Sequence, residues 1–331
     1  MTDRDPRSGV DSRTDPDRAP GAGSPDDGDS PTLDPGRYLR RVGLGPAVDP
    51  AAAESPARAL GVATDREALA RLVVAHLHAV PFETLSITGA PDDEGPGPGV
   101  ELALPALYRK VVERRRGGFC FELNGLFGRL LSVLGFETHR VAGMVLPDEG
   151  APSPANHHAN VVHLDRPYLV DVGTGTHAVR RPVPLDGTPV ADERGTRWRV
   201  AASDRPDCEY RLERRGETVE GGRDDDPDGR SDDADGDGDA AADGWTTAYV
   251  LDDEPRALSY FEATCEYLAT APESTFTGDP VVVDRTPDGY RKLTADALVA
   301  VTDAGRTETP VARAEWRDVL RERFDLRVPE R

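Results

Sequence analysis

The chain is short of several things, and each shortage excludes a class of function. It has 331 residues but three cysteines, Cys120, Cys208 and Cys265. An odd number at wide spacing offers neither a disulfide framework nor a paired metal knuckle. Basic charge is also scarce, with 40 Lys and Arg against 61 Asp and Glu and a formal net charge of −21. That balance argues against nucleic acid, which needs a basic footprint, and against adsorption on anionic membranes. Only two of the cations are lysine, Lys110 and Lys292. An acidic, lysine-poor surface of this halophilic type suits a salt-rich cytoplasm, where screening tames repulsion. No apolar run reaches membrane-spanning length, and Met1-Thr2-Asp3-Arg4-Asp5 lacks the hydrophobic core of a signal peptide. A soluble cytoplasmic protein is expected.

What is present divides into four parts. Residues 1–35 are dense in Asp, Pro, Gly, Ser and Arg and predict a disordered acidic tail. Residues 36–135 predict a helical bundle. In it, Leu69, Leu72, Val73, His76 and Leu77 follow the capping Asp65, and a second helix runs from Leu104 to about Arg115. A third helix carries Leu123, Leu126, Phe127, Leu130, Leu131 and Leu134 and stops at Gly135. Residues 136–254 predict an open sheet or small barrel: short β-like runs separated by Pro and Gly, with a Tyr168–Val172 run paired to His157–Leu164 as a hairpin. A disordered acidic insert interrupts this part at 221–244. Its aspartates lack the regular spacing and closing glutamate of a calcium loop. Residues 255–331 mix helices with strands and close on an amphipathic helix bearing Trp316, Val319, Leu320 and Phe324. No internal repeat is evident.

The chemistry centres on Arg115-Arg116-Gly117-Gly118-Phe119-Cys120-Phe121-Glu122-Leu123-Asn124-Gly125. A cysteine between a glycine pair and the first turn of a helix gains from amide N–H groups and the positive end of the helix dipole, which favour a thiolate. Alone it reads first as a small buried hydrophobe, the usual fate of a free cysteine. It needs a base, and the base needs an orienting group. Asn156-His157-His158-Ala159-Asn160-Val161-Val162-His163 supplies three imidazoles, and Tyr168-Leu169-Val170-Asp171-Val172-Gly173 sets a carboxylate in an apolar strand. An unpaired carboxylate there is costly, so an imidazole on the adjacent strand is its natural donor. Strand alternation does not choose among His157, His158 and His163. With no second Cys/His cluster, no zinc site is expected.

Arg116 to Gly125 resembles the active-site motif of the arylamine N-acetyltransferases. Tyr168 to Gly173 is similar to the strand carrying their triad aspartate, and Val80-Pro81-Phe82-Glu83-Thr84-Leu85 to their Pro-Phe-Glu-Asn-Leu segment. Pro272-Glu273-Ser274-Thr275-Phe276 resembles a Pro-x-Ser-x-Phe stretch near the start of their last domain. The resemblance implies an α+β multidomain fold with a helical bundle, a central β-barrel and a C-terminal α/β lid around a cysteine-protease-like Cys-His-Asp triad. It implies Cys120 as acyl-accepting nucleophile, Asp171 as orienting acid and His157 as base, with His158 as fallback. It further implies acetyl-CoA as co-substrate, with no tightly bound cofactor and no metal. The acceptor would be an arylamine, hydrazine or hydroxylamine. Phe82, Phe119, Thr174 and Phe276 are candidates to line the substrate pocket. Two positions depart: Thr84 stands where the family has asparagine, and Thr174 where it places a phenylalanine beside the acceptor. An amide synthase using a non-CoA acyl donor, a cysteine hydrolase, and a binding protein that retains the fold are the alternatives.

Overall fold

A computed structural model describes residues 33–45, 60–147, 152–216 and 244–328. The expected tail and the acidic insert lie outside the described residues, apart from 33–35 and Gly244. Order reaches back to Leu33, which is buried in the core, and Asp34 caps the first helix, α1 (Pro35–Arg41), by accepting from the Arg37 amide at 3.0 Å.

The N-terminal part is helical, with α2 (Arg66–Ala79), the short α3 (Leu85–Thr88), α4 (Leu104–Tyr108) and α5 (Cys120–Val133). Asp65 caps α2 through the Ala68 amide at 2.8 Å, as its position before the apolar period predicts. The helix expected over 104–115 is interrupted: α4 passes at Arg109–Glu113 into a π-helical turn. The α5 helix does not keep one wet face. Every residue from Cys120 to Gly128 is buried, so α5 is a central helix enclosed on all sides.

Thirteen described strands form two sheets. The larger has eight strands, in order β5 (Val183–Pro184), β4 (Pro167–Val170), β3 (His157–His163), β2 (Glu137–Met144), β9 (Thr246–Leu251), β8 (Tyr210–Arg215), β7 (Arg197–Ala202) and β6 (Val190–Ala191). Its edges approach one another through β5 and β7, giving a nearly closed barrel. The register of β2 on β3 runs without a bulge from Glu137↔His163 to Gly143↔His157. Strict alternation therefore holds along β3. Ala159 and Val161 point into the barrel core with Val141 and Leu169, while Val162 packs with the helices.

The second sheet is antiparallel, β1 (Phe82–Glu83), β10 (Val282–Thr286), β11 (Gly289–Leu293), β12 (Ala297–Thr302) and β13 (Gly305–Pro310), backed by α7 (Trp316–Phe324), which follows α6 (Glu262–Thr270) in chain order. β1 belongs to the N-terminal segment, yet it pairs with β10 in register Phe82↔Val283. It also bridges to Gly118 in the turn before Cys120. A two-residue strand thus ties the cysteine's turn to the C-terminal sheet. Thr84 completes the tie, since the Val281 amide donates to its Oγ1 at 3.0 Å.

Candidate active site

Cys120 is the first residue of α5 and is 3% exposed. The turn that delivers it depends on close backbone approach: a Cβ at Gly117 would sit 2.0 Å from the Pro81 carbonyl oxygen. The start of the helix is held by Glu122, whose Oε2 accepts from the Phe119 amide at 3.2 Å. Glu122 belongs to a buried ionic group. Lys110 Nζ reaches both its oxygens at 2.8 Å and lies 3.6 Å from Glu83 Oε1, which also accepts from Arg116 Nη2 at 2.8 Å. Burial pushes the Glu122 carboxyl above its ordinary value, an effect that Lys110 opposes. Glu83 is held below its ordinary value: burial would raise it, but Lys110 and Arg116 outweigh that.

The structure brings His157 and Asp171 to the cysteine. His157 Nε2 lies 2.7 Å from Asp171 Oδ2, and the Cys120 thiol is near enough to the same ring to favour its charged form. With Nε2 engaged by the carboxylate, Nδ1 is the nitrogen left for sulfur. Asp171 is fully buried immediately after β4, and its four bonds fill the carboxylate. Oδ1 accepts from Asn124 Nδ2 and the Gly173 amide, both at 2.8 Å, and Oδ2 from His157 and, at 3.0 Å, from Tyr249 Oη. Burial alone would lower the imidazole pKa, but the Asp171 charge and hydrogen bond outweigh it and carry it up to about 10. Burial would raise the carboxyl, but His157 and its other donors bring it down to about 2.

The two adjacent histidines take opposite sides of β3. His158 is fully buried on the helical side, stacked on Phe261 at 4.6 Å, and burial pushes it well below its ordinary value. Its carbonyl accepts from Asn124 Nδ2 at 2.5 Å. His163, at the far end of the strand, stacks on His139, and His177 is exposed beside Arg214. Among the described residues no group of three or more His, Cys, Asp or Glu is placed to hold a metal ion. None of the helices among the described residues is long and apolar enough to cross a membrane.

The loop after Asp171 presses on Cys120. A Cβ at Gly173 would lie 2.7 Å from Cys120 Cα and 2.5 Å from Asn124 Nδ2. Thr174 follows, partly exposed, and Arg285 from β10 donates to its carbonyl. Phe119 is fully buried and packs edge-to-face on Phe121 and Phe276 at 5.4 and 5.6 Å. Phe276 is half-buried, and Phe82 lies in β1 with 8% exposure.

Sequence reasoning missed Tyr249, Asn124 and the Glu83–Arg116–Lys110–Glu122 group. Asn124, Glu83, Arg116 and Glu122 stood inside the quoted motifs, where their polarity amid apolar neighbours was the available signal. Tyr249 carried none, because only strand pairing across 78 residues brings it to Asp171.

The profile of the N-acetyltransferase family matches residues 65–331. The chain is 32% identical to the arylamine N-acetyltransferase of Mycolicibacterium smegmatis over 284 residues, spanning 83% of this chain and 85% of that one. It superposes on a solved M. smegmatis arylamine N-acetyltransferase with a TM-score of 0.66 and 28% identity, covering 89% of this chain and 93% of the other. It superposes likewise on the Mycobacterium marinum arylamine N-acetyltransferase in complex with CoA, with a TM-score of 0.63, 26% identity, and 87% and 91% coverage.

Proposed function

This chain belongs to the arylamine N-acetyltransferase family, and from that premise we propose that it moves an acetyl group from acetyl-CoA to an amine through a Cys120 thioester. The observation that carries the reading is the line of contacts from the Cys120 thiol through His157 to the fully bonded carboxylate of Asp171. A histidine whose charged form is favoured to about pH 10 is able to take and hold the proton of Cys120, which makes a thiolate–imidazolium pair the reactive form.

In the first half-reaction the thiolate attacks the thioester carbonyl carbon. The tetrahedral adduct collapses with loss of the CoA thiolate, which takes the proton from His157 Nδ1. Cys120 is left as an acetyl thioester and His157 as a neutral imidazole. In the second, the amine attacks that thioester while His157 takes its proton. Collapse releases the amide and restores the thiolate–imidazolium pair. Asp171 holds the ring in one orientation and stabilises its cation in both halves. The positive end of α5 favours the negative sulfur. Arylamines, hydrazines and hydroxylamines suit the second step, because they are neutral near pH 7 and nucleophilic without prior deprotonation.

The domain plan supporting this reading is a helical part at 36–135 that presents Cys120, a barrel at 136–254 that presents His157 and Asp171, and a lid at 255–331. Thr174 and the half-buried Phe276 are the side chains best placed to meet the acceptor, with Phe119 and Phe82 packed behind. The test is the intact mass of the protein after incubation with acetyl-CoA. One acetyl adduct is expected, absent in Cys120→Ala and discharged by an arylamine. An adduct that survives Cys120→Ala, or none in the wild type, would sink the mechanism.

A further inference from the structure

A second concave site lies away from the Cys120 thiol. It has a volume of about 640 Å³ and is framed by the C-terminal ends of α1 and α2, Pro81 and Arg115, the second sheet and the end of α7. Strand β10 divides it from the Cys120–His157–Asp171 site, because adjacent side chains on a strand face opposite ways. Val283 packs in the same core as Cys120, and Arg285 reaches the Thr174 carbonyl. Val282 instead packs with Trp316 and Phe324 of α7, and Asp284 lines the cavity.

The wall of this cavity inverts the charge of the chain. Acids outnumber Lys and Arg by 61 to 40 overall, yet here five arginines stand against three carboxylates. Asp284 is taken up by Arg291, which donates to both its oxygens, and Asp325 lies 2.8 Å from Arg115 Nη2. Glu322 is then left facing Arg40, Arg41 and Arg323. Arg40 lies 3.9 Å from Asp34, but both side chains are more than half exposed, so water screens that pair.

Arg41 is the cation the fold buries. Its Nε and Nη2 donate to the Val111 and Arg115 carbonyls at 3.2 and 3.5 Å, which leaves Nη1 for the cavity. Among the described residues no carboxylate pairs with it. Burial and the neighbouring Arg115 charge bring its pKa down to about 10, a fall that Asp325 opposes only in part. Arg115 holds a left-handed backbone with φ 54°, as does its ion-pair partner Asp325 at 53°. Strain of this kind gathers at ligand clamps. Guanidinium groups present planar forks of N–H donors that match phosphate oxygens. The volume is that of a small-molecule site rather than of a single phosphate.

We propose that this cavity binds a small ligand through a diphosphate group, held by Arg41 with Arg40 and Arg323, at a site separate from that of the acyl donor. Inorganic pyrophosphate and a nucleoside diphosphate share that chemistry, so the test takes both. Its readout is binding, and it does not depend on the acyl-transfer reading.

The full-length wild type, Arg41→Met, Arg40→Gln and Arg323→Gln are titrated calorimetrically with sodium pyrophosphate and with ADP. Divalent metal is left out, and NaCl holds the ionic strength constant, so general screening of an acidic chain cancels. One saturable site per chain is expected. Saturation by pyrophosphate makes the bare anion sufficient, and saturation by ADP alone makes the ligand a nucleotide; either supports the site. Kd should rise about tenfold or more in Arg41→Met and about 3- to 10-fold in each of the other two. Should Arg41→Met not fold, the exposed Arg40 and Arg323 still decide. No saturable binding of either probe would overturn the proposal, as would a Kd within about twofold of wild type in every folded variant. A rise in KM for acetyl-CoA that matches the rise in Kd would overturn it too, since the cavity would then serve the acyl donor.

Discussion

Tyr249 Oη donates to Asp171 Oδ2 at 3.0 Å, sharing that oxygen with His157 Nε2 at 2.7 Å. The two rings lie 4.7 Å apart, so the tyrosine both packs the imidazole and fixes the carboxylate that orients it. Tyr249→Phe keeps the packing and removes one bond from a fully buried acceptor. The expected result is a folded protein losing about 1 kcal/mol of stability. kcat should fall several-fold at little change in KM for acetyl-CoA, measured by steady-state kinetics. An unchanged kcat would show that Oδ2 is held well enough by His157 alone.

The charges of His157 and Asp171 set a pH window. The imidazole is raised from 6.5 to about 10, so its contribution to stability is complete below about pH 6.5 and is lost as pH rises toward 10. The carboxyl is lowered from 3.8 to about 2, so its contribution is present above about pH 3.8 and is lost as pH falls toward 2. The Tm difference between wild type and Asp171→Asn should therefore be largest between about pH 4 and 6.5 and shrink on the alkaline side. Alkylation of Cys120 by iodoacetamide at pH 7 should slow by about tenfold or more in the same variant, because the imidazolium loses its stabiliser. A Tm difference that is flat from pH 5 to 10 would contradict the assignment.

Gly173→Ala tests the loop on Cys120. The new methyl would meet Cys120 Cα at 2.7 Å, and the obstacle is backbone rather than a flexible side chain. A loss of about 1–3 kcal/mol in chemical denaturation is expected. Acylation of Cys120 should fall further than stability does, because displacing the loop also moves Asp171 two residues away.

Lys110→Met removes the cation shared by Glu122 and Glu83 and leaves two buried carboxylates close together. Breaking a buried ion pair by deleting one partner costs about 3–5 kcal/mol. The double variant Lys110→Met/Glu122→Gln should recover part of that loss, measured by urea denaturation. No recovery would mean that the lysine acts through packing of its stem.

Much of the fold was legible because periodicity and punctuation are local properties. Asp65 before an apolar 3.6-residue pattern predicts α2, and Gly135 ends the region of α5. The runs around His157–His163 and Pro167–Val170 were readable as a hairpin from Asp165-Arg166-Pro167 between them. What was hidden is non-local. The strands Gly289–Leu293 and Gly305–Pro310 carry polar residues on an open sheet face, so alternation was weak. β1 is two residues long and has meaning only through its partner β10, about 200 positions on. The enclosure of α5 on every side could not be read from its own residues either, since Glu122 and Asn124 look solvent-facing until Lys110 and Asp171 are placed beside them.

By itself the sequence determined that a cysteine opens an apolar helix after a glycine pair, that a carboxylate sits at the end of an apolar strand, and that the long cysteine motif resembles one enzyme family. Those are statements about neighbours along the chain, where sterics, helix capping and burial cost act over a few residues. Only the tertiary structure set His157 rather than His158 against Asp171, because adjacent side chains on a strand face opposite ways and only the pairing of β2, β3 and β4 says which way is toward Asp171. It also put Tyr249 on the carboxylate and the Arg285 guanidinium on the Thr174 carbonyl. Those contacts join residues 78 and 111 positions apart, and their energies exist only once the chain has closed around Cys120.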